Sequence, residues 1–174
     1  ERVGGGKRLV GYVGRLAPEK QVADLAAIDA LPDTRLVIIG SGPEKESLRS
    51  VLPDAHFEGF LTGTELATAM ASLDVFVHPG EHETFCQTIQ EAMASGVPVV
   101  AVGRGGPLDL VDSSRNGWLY APGDLAGLRE RVRDLAGDDA KRLAFARTAH
   151  RCVQERTWDA VCEQLLGCLL YTSP

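Results

Sequence analysis

The chain has 174 residues, 44% hydrophobic and 24% charged, with a net charge of −6. That length suits one domain with a sizeable core, and the acidic balance argues against extended nucleic-acid binding while leaving room for a local basic pocket. Cys86, Cys152, Cys162 and Cys168 form neither a C-x-x-C pair nor a zinc-finger spacing and read as reduced thiols in a cytoplasmic protein; the sequence shows no signal peptide or membrane-length apolar run.

Residues 1–8 open on Glu1-Arg2-Val3-Gly4-Gly5-Gly6 and read as a linker or a cut start. Residues 9–13 read as a first strand, and the loop from Gly14 to Pro18 leads to a helix with apolar positions at Val22, Leu25, Ala26 and Ile28. Residues 34–39 form a near-continuous apolar run, the pattern of a strand buried on both faces. The turn Gly40-Ser41-Gly42-Pro43 enters a helix over 44–51, and 56–60 is a short strand. Residues 64–73 read as a helix with Thr64 as N-cap.

A strand over 74–78 stops at Pro79. The stretch Glu83-Thr84-Phe85-Cys86-Gln87-Thr88-Ile89-Gln90-Glu91 then carries two carboxylates eight residues apart where a loop enters a helix. After it come a strand over 97–102, the loop Gly103-Arg104-Gly105-Gly106, a short helix at 108–111 and a strand at 118–120. Helices over 125–136, 140–155 and 158–167 follow; the first is core packing, and Trp158 reads as a packing anchor. Residues 168–174 abandon the preceding pattern and read as a non-native tail. The alternation predicts an α/β fold: one Rossmann-like, doubly wound parallel sheet, with helices on both faces and ligands bound at the carboxyl ends of the strands.

Every unusual loop falls on that edge. Arg15 and Lys20, five residues apart after the first strand, suit a clamp on pyrophosphate: an arginine fork and a lysine point charge. A helix N-terminus aims unpaired N–H groups at an anion, and carboxylates beside it accept hydrogen bonds from sugar hydroxyls. Together these features point to a nucleotide-sugar site. Cys86 lies where a helix N-terminus lowers a thiol pKa, but no histidine base is tied to it, so it is not read as a nucleophile. His78 and His82 read as structural or solvent-facing.

This ordered set resembles the family 4 retaining glycosyltransferases, whose two-domain B-type fold binds the donor in the C-terminal half. Gly14-Arg15 with Lys20, Gly40 to Pro43, Phe57-Glu58-Gly59-Phe60-Leu61, Glu83 through Glu91 and Thr157-Trp158 carry the resemblance over residues 9–167. The runs Thr84 to Ala92 and Gly105 to Val111 look most like actinobacterial GDP-mannose-dependent α-mannosyltransferases. Many relatives have glycine and leucine at Cys86 and Gln87, and a Pro-Glu pair at Leu108-Asp109.

The resemblance implies roles for these residues. Gly14, Arg15 and Lys20 would hold the donor pyrophosphate, with Arg15, Lys20 and Glu83 the catalytic set and Glu83 on the sugar hydroxyls. The backbone of Phe85, Cys86, Gln87 and Thr88 would approach phosphate and sugar, and Glu91 the ribose. Ser41, Gly42, Pro43, Leu61, Thr62 and Gly63 would line the base, where Leu66 offers no polar group to read it. No metal or cofactor is required. A lipid or glycan acceptor, a further histidine and any peripheral contact with the inner face of the membrane would come through an N-terminal domain. The isolated chain should then be inactive. Two alternatives stay open: a UDP-sugar donor on the same fold, or a catalytically incompetent ligand-binding domain.

Overall fold

The computed structural model describes residues 5–154, 156 and 158–171. Six parallel strands, β1 (Arg8–Val13), β2 (Thr34–Ile39), β3 (His56–Gly59), β4 (Val75–His78), β5 (Val99–Val102) and β6 (Gly117–Tyr120), form one sheet in the order β3-β2-β1-β4-β5-β6. Strand order reverses between β1 and β4, and in such sheets ligands bind in the crevice outside the carboxyl ends at that point.

Alternation along the strands sends side chains to two separate cores. Leu36 and Ile38 join Val10, Val75 and Val100 on one face, and Val37 and Ile39 join Phe76, Val99 and Ala101 on the other. The first core is covered by helices α1 (Ala26–Asp29), α2 (Lys45–Val51) and α6 (Leu125–Gly137), through Ile28, Leu48, Leu128 and Val132. The second takes α3 (Gly63–Ala71), α4 (Gln87–Ala94), α5 (Pro107–Leu110) and α7 (Asp139–Gln154), through Met70, Ile89, Leu110 and Ala149. A final helix, α8, spans Trp158–Tyr171.

At the opposite, amino edge of the strands an alternating charge cluster ties α7 to the sheet. Arg8 bridges Asp74 at 3.3 Å and Asp139 at 2.6 Å, and the buried Arg142 reaches the same two carboxylates at 3.5 and 2.7 Å. Asp74 also accepts a hydrogen bond from the Leu9 amide at 2.8 Å.

Three local expectations change. The helix after β1 is two 3₁₀ turns, Pro18–Lys20 and Val22–Leu25, followed by the four-residue α1. Gln21, at φ 50°, breaks it, and the three-residue spacing of Val22, Leu25 and Ile28 serves a 3₁₀ turn as well as an α-helix. The N-cap of α3 is Thr62, not Thr64, and its side chain makes no capping bond. α8, expected over 158–167, extends to Tyr171, with neither glycine nor proline between 168 and 171 to stop it. Thr157 and the Trp158 side chain lie outside the described residues.

Candidate functional site

The loop after β1 is fixed by its buried residues Leu16 and Ala17 and by the Tyr12 hydroxyl, which donates to the Arg15 carbonyl at 3.0 Å. Beside it, the turn after β2 packs backbone on backbone. The Leu16 amide donates to the Ser41 carbonyl at 2.9 Å, and the Glu44 amide to the Leu16 carbonyl at 3.1 Å. A Cβ on Gly42 would run into Leu16 backbone atoms, so glycine there sets how closely the two turns approach.

The loop after β4 is held from both sides. The Gln21 amide nitrogen donates to Glu81 Oε1 at 3.3 Å, and Gln21 Oε1 accepts from the Glu81 amide at 2.9 Å. Arg104 donates to Glu81 Oε2 at 2.7 Å. The hydrogen bonds from Gln21 and then Arg104 hold the Glu81 carboxyl below its ordinary pKa. The Gly106 amide donates to the Glu83 carbonyl at 2.7 Å. At Gly105, with φ 64°, a Cβ would lie 2.7 Å from that same oxygen.

Lys20 Nζ donates to Glu83 Oε1, joining the first and fourth strand loops. His78 closes β4 beside them and is only 3% exposed. Its Nε2 lies 3.8 Å from the same Glu83 oxygen, and its buried Nδ1 makes no hydrogen bond. Burial pushes its pKa below the ordinary imidazole value, against the pull of Glu83; Lys20 adds a downward push and its own backbone an upward one. α4 starts behind Cys86, an N-cap at φ 52° that offers no side-chain bond to the helix. The first N–H groups of the helix, at Gln87 and Thr88, have no carbonyl a turn earlier in the helix to bond to.

A cleft of about 420 Å³ gathers Gly14, Arg15, Lys20, His78, Glu83, Gln87 and Thr88. It meets a second recess of about 460 Å³ across Val13, Gly14 and Arg15; Ser41, Gly42, Phe60, Leu61 and Leu66 line that one and make it chiefly apolar. A charged cleft continuous with an apolar slot suits a ligand with an anionic middle and a flat end. Among the described residues no cluster of histidine, cysteine and carboxylate side chains could hold a metal ion.

Of the residues singled out in the sequence, the structure joins Arg15, Lys20, Glu83, Gly14, Gln87 and Thr88 in the charged cleft and Ser41, Gly42 and Leu61 in the apolar recess. Phe85 and Glu91 face a third recess of about 200 Å³, bounded by Val153, Arg156 and Val161. Gln87 lines both that recess and the cleft and donates to Glu91 Oε1 at 3.0 Å. Pro43, Thr62, Gly63 and Cys86 line none of the three. The Cys86 thiol is buried, and burial, with Glu83 adding, pushes its pKa up to about 11. The helix terminus does not activate it.

Sequence reasoning missed His78 as a cleft residue, and Gln21, Glu81 and Arg104 as its supports. His78 carried one usable signal: it ends the strand that flanks the switch point. His82 is exposed, as expected.

The family model for glycosyl transferases group 1 matches residues 7–138. A GDP-mannose-dependent alpha-mannosyltransferase of Mycolicibacterium smegmatis is 53% identical over 163 residues, covering 93% of this chain and 43% of the relative. One of Corynebacterium glutamicum, named for the same activity, is 48% identical, covering 93% of this chain and 39% of its own length. The crystal structure of Anabaena Alr3699/HepE in complex with UDP superposes with a TM-score of 0.84 at 26% identity, covering 97% of this chain and 50% of that one. The chain thus spans about two fifths of the length of these curated relatives.

Proposed function

Since the chain belongs to the glycosyl transferases group 1 family, we propose that it is the donor-binding half of a retaining α-mannosyltransferase and takes GDP-mannose. The observation that carries this reading is the Lys20–Glu83 pair, set between Arg15 and the open N-terminus of α4 in one cleft. In this reading the diphosphate sits against Lys20, Arg15 and the α4 N–H groups, which stabilise the charge of the departing nucleoside diphosphate. Glu83 accepts from a sugar hydroxyl, and the base enters the recess under Leu61 and Leu66. Glu91, held by Gln87, takes the ribose.

The acceptor proton passes to the leaving phosphate, so the protein supplies position and charge rather than a covalent nucleophile. That chemistry needs no metal: two fixed cations do the neutralising. The acceptor, lipid or glycan, and any contact with a membrane surface belong to the length of the relatives that this chain does not span. No helix among the described residues is long and apolar enough to cross a membrane.

A UDP-sugar donor is the second reading. It is favoured by the chiefly apolar base recess, where Arg15 and Ser41 supply the polar side chains, and by the UDP held in the Anabaena neighbour. Calorimetric titration of the chain with GDP and with UDP separates the two. Preferential GDP binding supports mannose transfer from GDP-mannose, UDP preference replaces the donor, and binding of neither overturns the site. The chain alone should transfer no mannose; robust transfer would contradict its assignment as half of an active site.

A further inference from the structure

One oxygen of the Glu83 carboxylate, Oε1, has two candidate partners. Lys20 holds Oε1 now, while His78 Nε2 stands 3.8 Å from it, just beyond hydrogen-bond reach. The other imidazole nitrogen is buried without a hydrogen bond. A carboxylate facing Nε2 favours the tautomer with its proton there, because the N–H then points at negative charge and Nδ1 is left as a bare acceptor. Burial depresses the imidazole pKa and so favours the neutral ring, which can donate from Nε2 without adding a second cation.

A diphosphate entering the cleft competes with Glu83 for the Lys20 ammonium. The Glu83 side chain is 18% exposed, and a carboxylate that loses its cation in so enclosed a place needs another donor. We propose that His78 is a positioning residue that takes over Glu83 when the donor diphosphate draws Lys20 away. No proton changes hands: the Nε2–H bond stays intact, and one hydrogen bond replaces another. Glu83 then stays anionic and aimed at the sugar while Lys20 serves the phosphate. This role rests on the reading above that a nucleoside diphosphate occupies the cleft.

The imidazole reports the exchange directly. In the wild-type chain with ¹⁵N-labelled histidine, GDP should shift the His78 Nε2–H resonance towards that of a stronger hydrogen bond. If GDP binds and the resonance stays put, the inference falls and the donor site stands; if neither GDP nor UDP binds, both fall.

Variants give a second readout. His78→Leu should weaken GDP and GDP-mannose alike by about tenfold, the size of one hydrogen bond to a charged group, because both bring the diphosphate that draws Lys20 away. His78→Gln, whose amide can still donate, should recover most of the lost affinity. Unchanged affinity for both ligands in His78→Leu, or a loss that His78→Gln does not recover, would overturn the takeover.

Discussion

Gln21 and Glu81, sixty residues apart, exchange two hydrogen bonds, and through them the turn that carries Lys20 is fixed to the loop that carries Glu83. The Lys20–Glu83 pair is therefore set by a side-chain clamp beside it. Gln21→Ala should keep the fold and weaken GDP binding roughly three- to tenfold, because misplacing a charged partner costs affinity steeply. Wild-type affinity in that variant, measured by calorimetry, would show that the clamp is idle.

The same clamp has a pH signature. The Glu81 carboxyl is held below its ordinary pKa by Gln21 first and Arg104 second. A depressed folded-state pKa adds stability that is fully present above the unfolded value and is lost as pH falls through the folded one. Gln21→Ala and Arg104→Ala should thus melt earlier than wild type at neutral pH and converge with it in acid. Parallel melting curves across that range would contradict this.

At Gly106 a Cβ would meet the Thr84 carbonyl and lie 2.7 Å from the Cys86 sulfur. Gly106→Ala should cost about 1–3 kcal/mol from overpacking. Since the Gly106 amide also holds the Glu83 carbonyl, nucleotide binding should fall with stability. Chemical denaturation together with titration tests both effects.

Arg15 and Lys20 should respond differently. The Arg15 side chain is 66% exposed and pairs with Glu19 at 3.4 Å, so Arg15→Ala should leave stability within about 0.5 kcal/mol. Lys20→Ala strips the cation from a largely enclosed Glu83. It should lower GDP affinity by about ten- to a hundredfold, the larger loss of the two, and reduce the salt dependence of binding.

Thiol chemistry separates the four cysteines. Cys152, Cys162 and Cys168 are exposed, while Cys86 is buried with its pKa pushed up to about 11. At pH 8 three thiols should titrate promptly with a disulfide reagent and the fourth only on unfolding. Four fast thiols would refute the burial of Cys86.

What the sequence made legible follows from the range of each interaction. Residues 34–39 announce a buried strand because both neighbours along the chain and both sheet faces demand apolar side chains. Arg15, Lys20 and Glu83 stand out because each sits in a loop after a strand. The Gln21 break was hidden because nothing near glutamine demands a left-handed backbone; its reason is Glu81, distant in sequence. His78 read as a strand residue for a related cause, since Lys20 arrives from the loop after β1 and Glu83 only when the loop after β4 folds back over the strand end. Glu91 and Glu83 read as one pair on paper; in the structure they line adjoining recesses that share Gln87.

Gly14 lies on the border between the charged cleft and the apolar recess, and a Cβ there would come 2.7 Å from the Tyr12 hydroxyl oxygen. A ligand crosses from one compartment to the other over bare backbone. Apart from Val13, Gly14 and Arg15, the two compartments are lined by different residues, so Lys20 and Glu83 on one side and Leu61 and Leu66 on the other can be redesigned separately. Exchanging Leu61 and Leu66 for polar residues would alter which base is accepted, while the grip on the diphosphate stays on the far side of a single glycine.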